Sequence, residues 1–235
     1  MHSGGKVQLL SPTNASKVSA LSFDGATNAW QGQLDIKDSS LIVQTTAATR
    51  QSVFATILNQ IRMGRNSGAM RWFGEGIASS AASRDGSRST ALGAILNDNG
   101  SGGALYTTFF GQAVDINSIL IRYTFNGDLD LDGGIDADDY ARMDAGFAQK
   151  LTGWGHGDLD YSGVINADDF FLIDHAFAAQ TPLPAPLAFG ATSVPEPMFV
   201  AFAVLALLTP RSWQRRLARG SRSHKRAESS PASTA

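Results

Sequence analysis

The sequence predicts a mixed fold: a β-rich N-terminal region of the solenoid-end or sandwich-like kind, then a small all-α module, then a C-terminal hydrophobic helix. Three observations carry this reading. Residues 1–125 hold short apolar runs separated by Gly, Asn, Asp and Ser turns. From Asn126 the chain repeats itself at a period of thirty residues, and each copy ends in an amphipathic helical pattern. An uncharged stretch from Met198 to Leu208 then precedes a cluster of arginines.

With 235 residues, 43% hydrophobic and 17% charged, the chain has material for one large domain or two small ones. That balance excludes a disordered acidic linker and a multi-span membrane protein. The absence of cysteine excludes disulfide stapling, thiol nucleophiles and thiolate metal sites, so any metal must be held by oxygen or imidazole. The net charge of −2 conceals a segregation. Residues 126–177 carry twelve Asp against Arg142 and Lys150, and residues 211–226 carry seven bases and no acid. A focused acidic block suggests a hard cation, and a basic end after an apolar run suggests a membrane face.

In the β-rich region, strands are expected at Lys6 to Leu10, Val18 to Phe23, Gln33 to Ile36, Leu41 to Thr45, Ala91 to Leu96 and Ile119 to Phe125. One helix interrupts them over Arg50 to Met63, where Val53, Ile57, Leu58 and Ile61 share a face and Gly64 is placed to end it. The small, polar stretch Arg65 to Gly93 reads as loop or irregular edge. Met1 is followed by a polar segment, so no N-terminal signal peptide is expected, and the opening reads as the tail of a longer protein.

The repeat carries the chemistry. Its copies are Asp128-Leu-Asp130-Leu-Asp132-Gly133-Gly134-Ile135-Asp136-Ala-Asp138-Asp139 and Asp158-Leu-Asp160-Tyr-Ser162-Gly163-Val164-Ile165-Asn166-Ala-Asp168-Asp169, aligned without a gap. Oxygen side chains stand at loop positions 1, 3 and 5, Gly at 6, an aliphatic at 8 and a carboxylate at 12. This is a calcium loop of the EF-hand kind with Asp in place of the terminal Glu. A hard cation takes six to eight oxygens, so one tight loop must turn alternate side chains inward. The expected ligands are Asp128, Asp130, Asp132, the Gly134 carbonyl and Asp139 in the first loop, with Asp136 acting through a water. In the second they are Asp158, Asp160, Ser162, the Val164 carbonyl and Asp169, with Asn166 through a water. Two Ca²⁺ ions are therefore expected, the first loop binding more tightly because it has one more carboxylate.

Tyr140, Met143 and Phe147 after the first loop, and Phe170, Ile173 and Phe177 after the second, form one apolar helix face each. Ile135 and Ile165 are expected to pair between the loops, and Trp154 to cap the small core. Lys150 to Gly157 is too short for a helix entering the second loop, so each unit is a loop followed by a helix. Clustered carboxylates repel, and the module has little core to offset that; it is expected to fold only with calcium bound.

This tandem pair over 126–180 resembles a type I dockerin, the module that docks onto cohesin domains in assemblies of polysaccharide-degrading enzymes. The resemblance implies a cohesin-like or other envelope partner. The family's hydroxyl recognition pair is replaced here by Ala137-Asp138 and Ala167-Asp168. After a Pro-rich linker over 181–193, the order Val194-Pro195-Glu196-Pro197, apolar segment, then Arg211, Arg215 and Arg216 resembles the PEP-CTERM sorting signal of bacterial envelope proteins. That implies a membrane segment within 194–220, processing by an exosortase-type enzyme, a disordered polar tail over 221–235 and at least transient anchorage at the extracellular face of the envelope. The N-terminal half is similar to the segment that precedes dockerin-like repeats in planctomycete-type surface proteins with autotransporter-associated β-strand repeats.

No nucleophile elbow, phosphate-binding glycine loop or His-Glu zinc pattern is present. Acids outside the repeat, with Glu75 the first to test, stand singly among turn residues, so no catalytic residue is assigned. His156 and His175 read as surface residues or as supports for the metal loops. The only basic run belongs to the tail and lacks interleaved aromatics, so no nucleic-acid partner is expected. The reading is a non-catalytic, calcium-binding surface protein that mediates attachment. The alternative is the C-terminal part of a secreted glycoside hydrolase carrying a dockerin.

Overall fold

The computed structural model describes residues 4–9, 15–66 and 70–180. All of them belong to the first of the two units into which the chain divides, Met1–Phe189. In chain order the first strands are β1 (Lys6–Gln8), β2 (Ser16–Val18), β3 (Asp24–Ala26), β4 (Ala29–Gln31), β5 (Gln33–Asp35) and β6 (Ser40–Gln44). Helix α1 (Arg50–Arg65) follows, then β7 (Gly76–Ala78), a short helix α2 (Ser80–Arg84), β8 (Thr90–Leu96), β9 (Thr108–Phe109), β10 (Gln112–Ala113) and β11 (Ser118–Phe125). The repeat supplies α3 (Ala137–Gln149), a 3-10 turn at Trp154–His156 and α4 (Ala167–Ala179).

The principal sheet has the order β2-β6-β11-β8. Strand β11, with the sequence Ser-Ile-Leu-Ile-Arg-Tyr-Thr-Phe, is rich in β-branched and aromatic residues and buried on both faces. It pairs antiparallel with β6, Leu120 opposite Ile42, and with β8, Leu120 opposite Ile95. A second sheet, β1-β5-β7, is wholly parallel, with Leu34 between Val7 and Ile77. The hairpins β3-β4 and β9-β10 complete the strand pairing.

Helix α1 presents Ile57, Gln60, Ile61 and Gly64 to the interior, the i, i+3, i+4, i+7 spacing of one face. Gly64 does not end the helix; Asn66 caps it. The glycine is needed for close approach instead, since a Cβ there would lie 1.9 Å from the Ile77 carbonyl oxygen of β7. Across the same contact Gly76 has φ +103°, and its own Cβ would meet the Gln60 carbonyl oxygen at 2.3 Å. Helix and strand thus touch backbone to backbone.

The fold is therefore a mixed α/β one, with four α-helices and several sheets among the described residues, and this corrects the expected architecture in three respects. The β-rich region is neither a solenoid end nor a sandwich, because α1 packs directly on β7 and joins the sheets in one core. The stretch 65–93, expected as loop, contains β7, α2 and the start of β8; Ile77 and Ala82 are fully buried although flanked by small residues. Isolated apolar residues there fill a core made by distant segments, which local periodicity does not register.

The third correction is that the loop–helix pair does not form a separate small all-α module. Leu129, Leu131, Met143, Trp154, Leu159, Tyr161 and Ile173 belong to the same buried cluster as Ile42, Leu92 and Ile119. Two 13-residue helices cannot enclose a core of their own, so they borrow one. The indole of Trp154 lies so near β8 that a Cβ on Gly93 would come within 2.6 Å of its Nε1. The Pro-rich linker, the expected hydrophobic C-terminal helix, the sorting signal and the tail lie outside the described residues. Among the described residues, no helix is long and apolar enough to cross a membrane.

Gly64→Ala should destabilise the protein by about 2 kcal/mol or more, although Gly→Ala in an open helix normally stabilises it by about 1 kcal/mol. Gly86→Ala, where nothing lies within 4 Å, should be close to neutral. Urea midpoints of the two variants against the parent chain check this contrast.

Candidate metal centres

Strand β11 leads into the first loop, and the β-rich region clamps the entry. The Thr124 hydroxyl donates to Asp128 Oδ2, the Asn126 amide donates to the Ser89 carbonyl at 2.8 Å, and Asn126 Nδ2 to the Arg88 carbonyl at 2.9 Å. The Gly133 amide also donates to Asp128 Oδ2, at 3.0 Å. In the second loop, the Gly153 and Gly163 amides donate to Asp158 Oδ2 at 3.2 and 3.1 Å. One oxygen of each carboxylate is thus tied to the protein. The other, Oδ1 of Asp128 and of Asp158, is buried with no hydrogen-bond partner.

The loops share a backbone as well as a sequence. Leu131 and Tyr161 at position 4 have φ of +67° and +61°, and Gly133 and Gly163 at position 6 have +107° and +90°. These left-handed residues turn the chain so that positions 1, 3 and 12 converge. Asp139 and Asp169 each accept on both oxygens: from the Leu129 or Leu159 amide at 2.8 Å, and from the Asp136 or Asn166 amide at 2.9 Å. The second of these bonds closes a capping box, with Asp136 and Asn166 as the N-caps of α3 and α4. One carboxylate thereby ends the loop and starts the helix.

The outcome is two triads, Asp128-Asp130-Asp139 and Asp158-Asp160-Asp169, in which one ligand oxygen from each residue lies within 4.8 Å of the others. The remaining side chains expected as ligands, like Asp130 and Asp160, make bonds within their own loops. Asp132 Oδ1 accepts from the Gly134 amide at 2.8 Å, and Ser162 Oγ donates to the Val164 carbonyl at 3.1 Å. Asp136 and Asn166 accept from the amides of Asp138 and Asp168 at 2.8 and 2.7 Å. These four side chains make turn and cap bonds.

The copies interlock through a near two-fold relation. Gly127 lies against Ile173 of the other copy and Gly157 against Met143, each closely enough that a Cβ would clash. Tyr140 meets Phe177 edge-on at 6.0 Å, and Phe147 meets Phe170 at 5.8 Å. Ile135 and Ile165 are both buried, and Trp154 is sealed in the seam, its indole N–H donating to the Asp128 carbonyl at 2.6 Å.

Electrostatics decide what these triads need. Like charges 4.8 Å apart repel by about 0.9 kcal/mol in water and about 3.5 kcal/mol at an effective dielectric of 20. Asp128, Asp139, Asp158 and Asp169 are all buried, so the larger figure applies. Burial accordingly pushes the Asp128 carboxyl well above its ordinary range, against the opposing pull of Thr124 and Arg122. Asp139 is pushed up to about 7, chiefly by burial and also by Asp130 and Asp136, despite its two backbone bonds. Asp130, Asp158 and Asp169 are likewise raised by burial first. Each triad must take up protons or hold a cation. All donors are oxygens, and the orphaned oxygens aim at no protein group, so the residues fit a hard cation.

Several supporting residues were not identified from the sequence. Arg122, buried in β11, lies 3.8 Å from Asp128 and donates to the Leu131 carbonyl at 2.7 Å. Tyr106 donates its hydroxyl to the Asp130 carbonyl at 3.1 Å, and Tyr161 to the Leu92 carbonyl at 2.6 Å. A charged residue inside the apolar run Ile-Leu-Ile-Arg-Tyr-Thr-Phe is the signal that marks Arg122. Glu75 is exposed, and His175 reaches the Ser87 carbonyl at 2.6 Å, away from both triads.

No protein-family model matches the chain, and no curated protein or solved structure matches it.

A carboxyl that is easier to protonate when folded stabilises the fold below its unfolded value and loses that contribution as pH rises through its folded value. Chelator-treated protein should therefore become less stable between about pH 4 and pH 7, Asp139 alone contributing on the order of 4 kcal/mol. Urea midpoints at pH 5.0 and 7.5 without divalent ions measure this; a higher midpoint at pH 7.5 would contradict it.

Proposed function

We propose that this chain is a non-catalytic, calcium-dependent attachment protein whose tandem loops bind two Ca²⁺ ions. The observation that carries the reading is the pair of buried, unpartnered oxygens at Asp128 Oδ1 and Asp158 Oδ1, each on the first carboxylate of a triad. Asp128, Asp130 and Asp139 would hold one ion, and Asp158, Asp160 and Asp169 the other. A divalent ion supplies the positive charge that lets these groups stay ionised at neutral pH, and its role is structural. Exclusive oxygen donors favour Ca²⁺ over softer metals, and adaptable loops favour it over Mg²⁺, which demands a near-ideal octahedron.

The order of loop, helix, linker, Pro-Glu-Pro and arginine cluster supports a dockerin-like role at the cell envelope. In that reading the paired helices present the attachment surface, and Ca²⁺ outside the cell keeps the sites filled. The first loop's extra carboxylate is offset by Arg122, whose guanidinium lies close enough to Asp128 to take up part of its charge. The two sites should therefore be closer in affinity than a count of acids implies.

Calorimetric titration of the chelator-stripped full chain should show two Ca²⁺ ions bound. Asp139→Asn and Asp169→Asn should each remove one of them, with any loss of fold checked by circular dichroism. Absence of any calcium heat or ordering in the parent chain would refute the reading.

A further inference from the structure

A third charged cluster lies apart from both triads and has the opposite sign. Arg65 at the end of α1, Arg71 in the segment before β7 and Arg88 in the turn before β8 line an open cavity of about 420 Å³, together with Phe171, Leu172 and His175 of α4. Among the described residues, no hydrogen bond or ion pair is made by the guanidinium of Arg65 or Arg88, and that of Arg71 has only a long bond of 3.4 Å to the Ala82 carbonyl. Arg65 and Arg71 are half-buried and Arg88 is exposed, and of the ten N–H donors of the first two only the one on the Ala82 carbonyl has a protein acceptor among the described residues. Burial, then the neighbouring charges of Arg65 and Arg88, make the Arg71 guanidinium hold its proton less firmly than usual.

The acids that face this cluster are already committed. Asp85 is held by the hydroxyls of Ser87, Ser89 and Thr90 and by two backbone amides. Arg65 feels Asp158, Asp160 and Asp169, the residues that would hold the second cation. A divalent ion there balances two of their three charges, and the three guanidiniums still leave the cavity with an excess of positive charge. Its other wall is apolar and flat: the Phe171 ring is 67% exposed and stacks on His175 at 5.7 Å with an interplanar angle of 15°.

We propose that this cavity binds a phosphate or sulfate monoester of a ring-bearing molecule, its oxyanion on Arg65, Arg71 and Arg88 and its ring against Phe171 and His175. Guanidinium forks match tetrahedral oxyanions, and several converging on one anion give charge-assisted bonds at each oxygen. The cavity is larger than a bare oxyanion requires, and the aromatic wall gives the remaining volume a use. The inference goes beyond the cation reading and rests on it only for the neutralisation of Arg65's acidic neighbours.

The test is calorimetry on the full chain in millimolar Ca²⁺, with phenyl phosphate, phenyl sulfate and inorganic sulfate as probes. At least one phenyl ester should bind saturably at one site, about tenfold or more tightly than inorganic sulfate; the two esters tell which oxyanion is preferred. Arg71→Gln and Arg88→Gln should each weaken the ester by about tenfold to a hundredfold. Phe171→Ala, at an exposed ring, should weaken the ester and leave inorganic sulfate unchanged. Absence of saturable ester binding, or equal binding by parent chain and Arg88→Gln, would overturn the proposal. Calcium heat without ester binding defeats this inference alone; ester binding without calcium heat supports it and defeats the cation reading alone.

Discussion

Sealing like charges together inside a protein is the constraint on which the rest of this structure turns. Each triad has one buried oxygen with no protein partner, and both oxygens of its last carboxylate accept backbone amides. Such a cluster persists only if protons or a cation neutralise it. The surrounding structure is built to keep the carboxylates fixed: left-handed residues at loop positions 4 and 6, capping boxes that lock the last ligand, and glycines that let each copy pack on the other's helix.

The first triad is also part of the sheet. Thr124 and Arg122 of β11 reach Asp128, while Trp154 packs on β8 and binds the Asp128 carbonyl. Tyr161 ties the second loop to Leu92. A charge imbalance at one loop therefore acts on the strands at the centre of the core. The same economy places a half-buried arginine, Arg65, between the second triad and a basic cavity, so the two ends of the charge distribution share a boundary.

The sequence made the strands with dense β-branched content legible, above all β11 and β8, along with α1 and both repeat helices. It also made the converging carboxylates legible, because alternation in a tight loop leaves little freedom over which side chains turn inward. What it obscured depends on contacts between distant segments. Gly64 looked like a helix terminator and is instead the contact point with β7. The segment around Ile77 looked irregular because its apolar residues are single, yet each fills a core formed elsewhere. The repeat looks independent in the sequence and is not so in the structure. Nothing in its thirty-residue period shows that its core is completed by Gly93, Leu92 and Arg122.

Hydrogen–deuterium exchange of the full chain, in chelator and then in millimolar Ca²⁺ at neutral pH, tests the central claim most directly. If the carboxylate clusters and the sheet are one cooperative unit, amides of both loops and of Ile119–Phe125 and Ala91–Leu96 should gain protection together on adding the ion. Unchanged exchange everywhere, or slowing in the loops with the strands unaffected, would contradict the account.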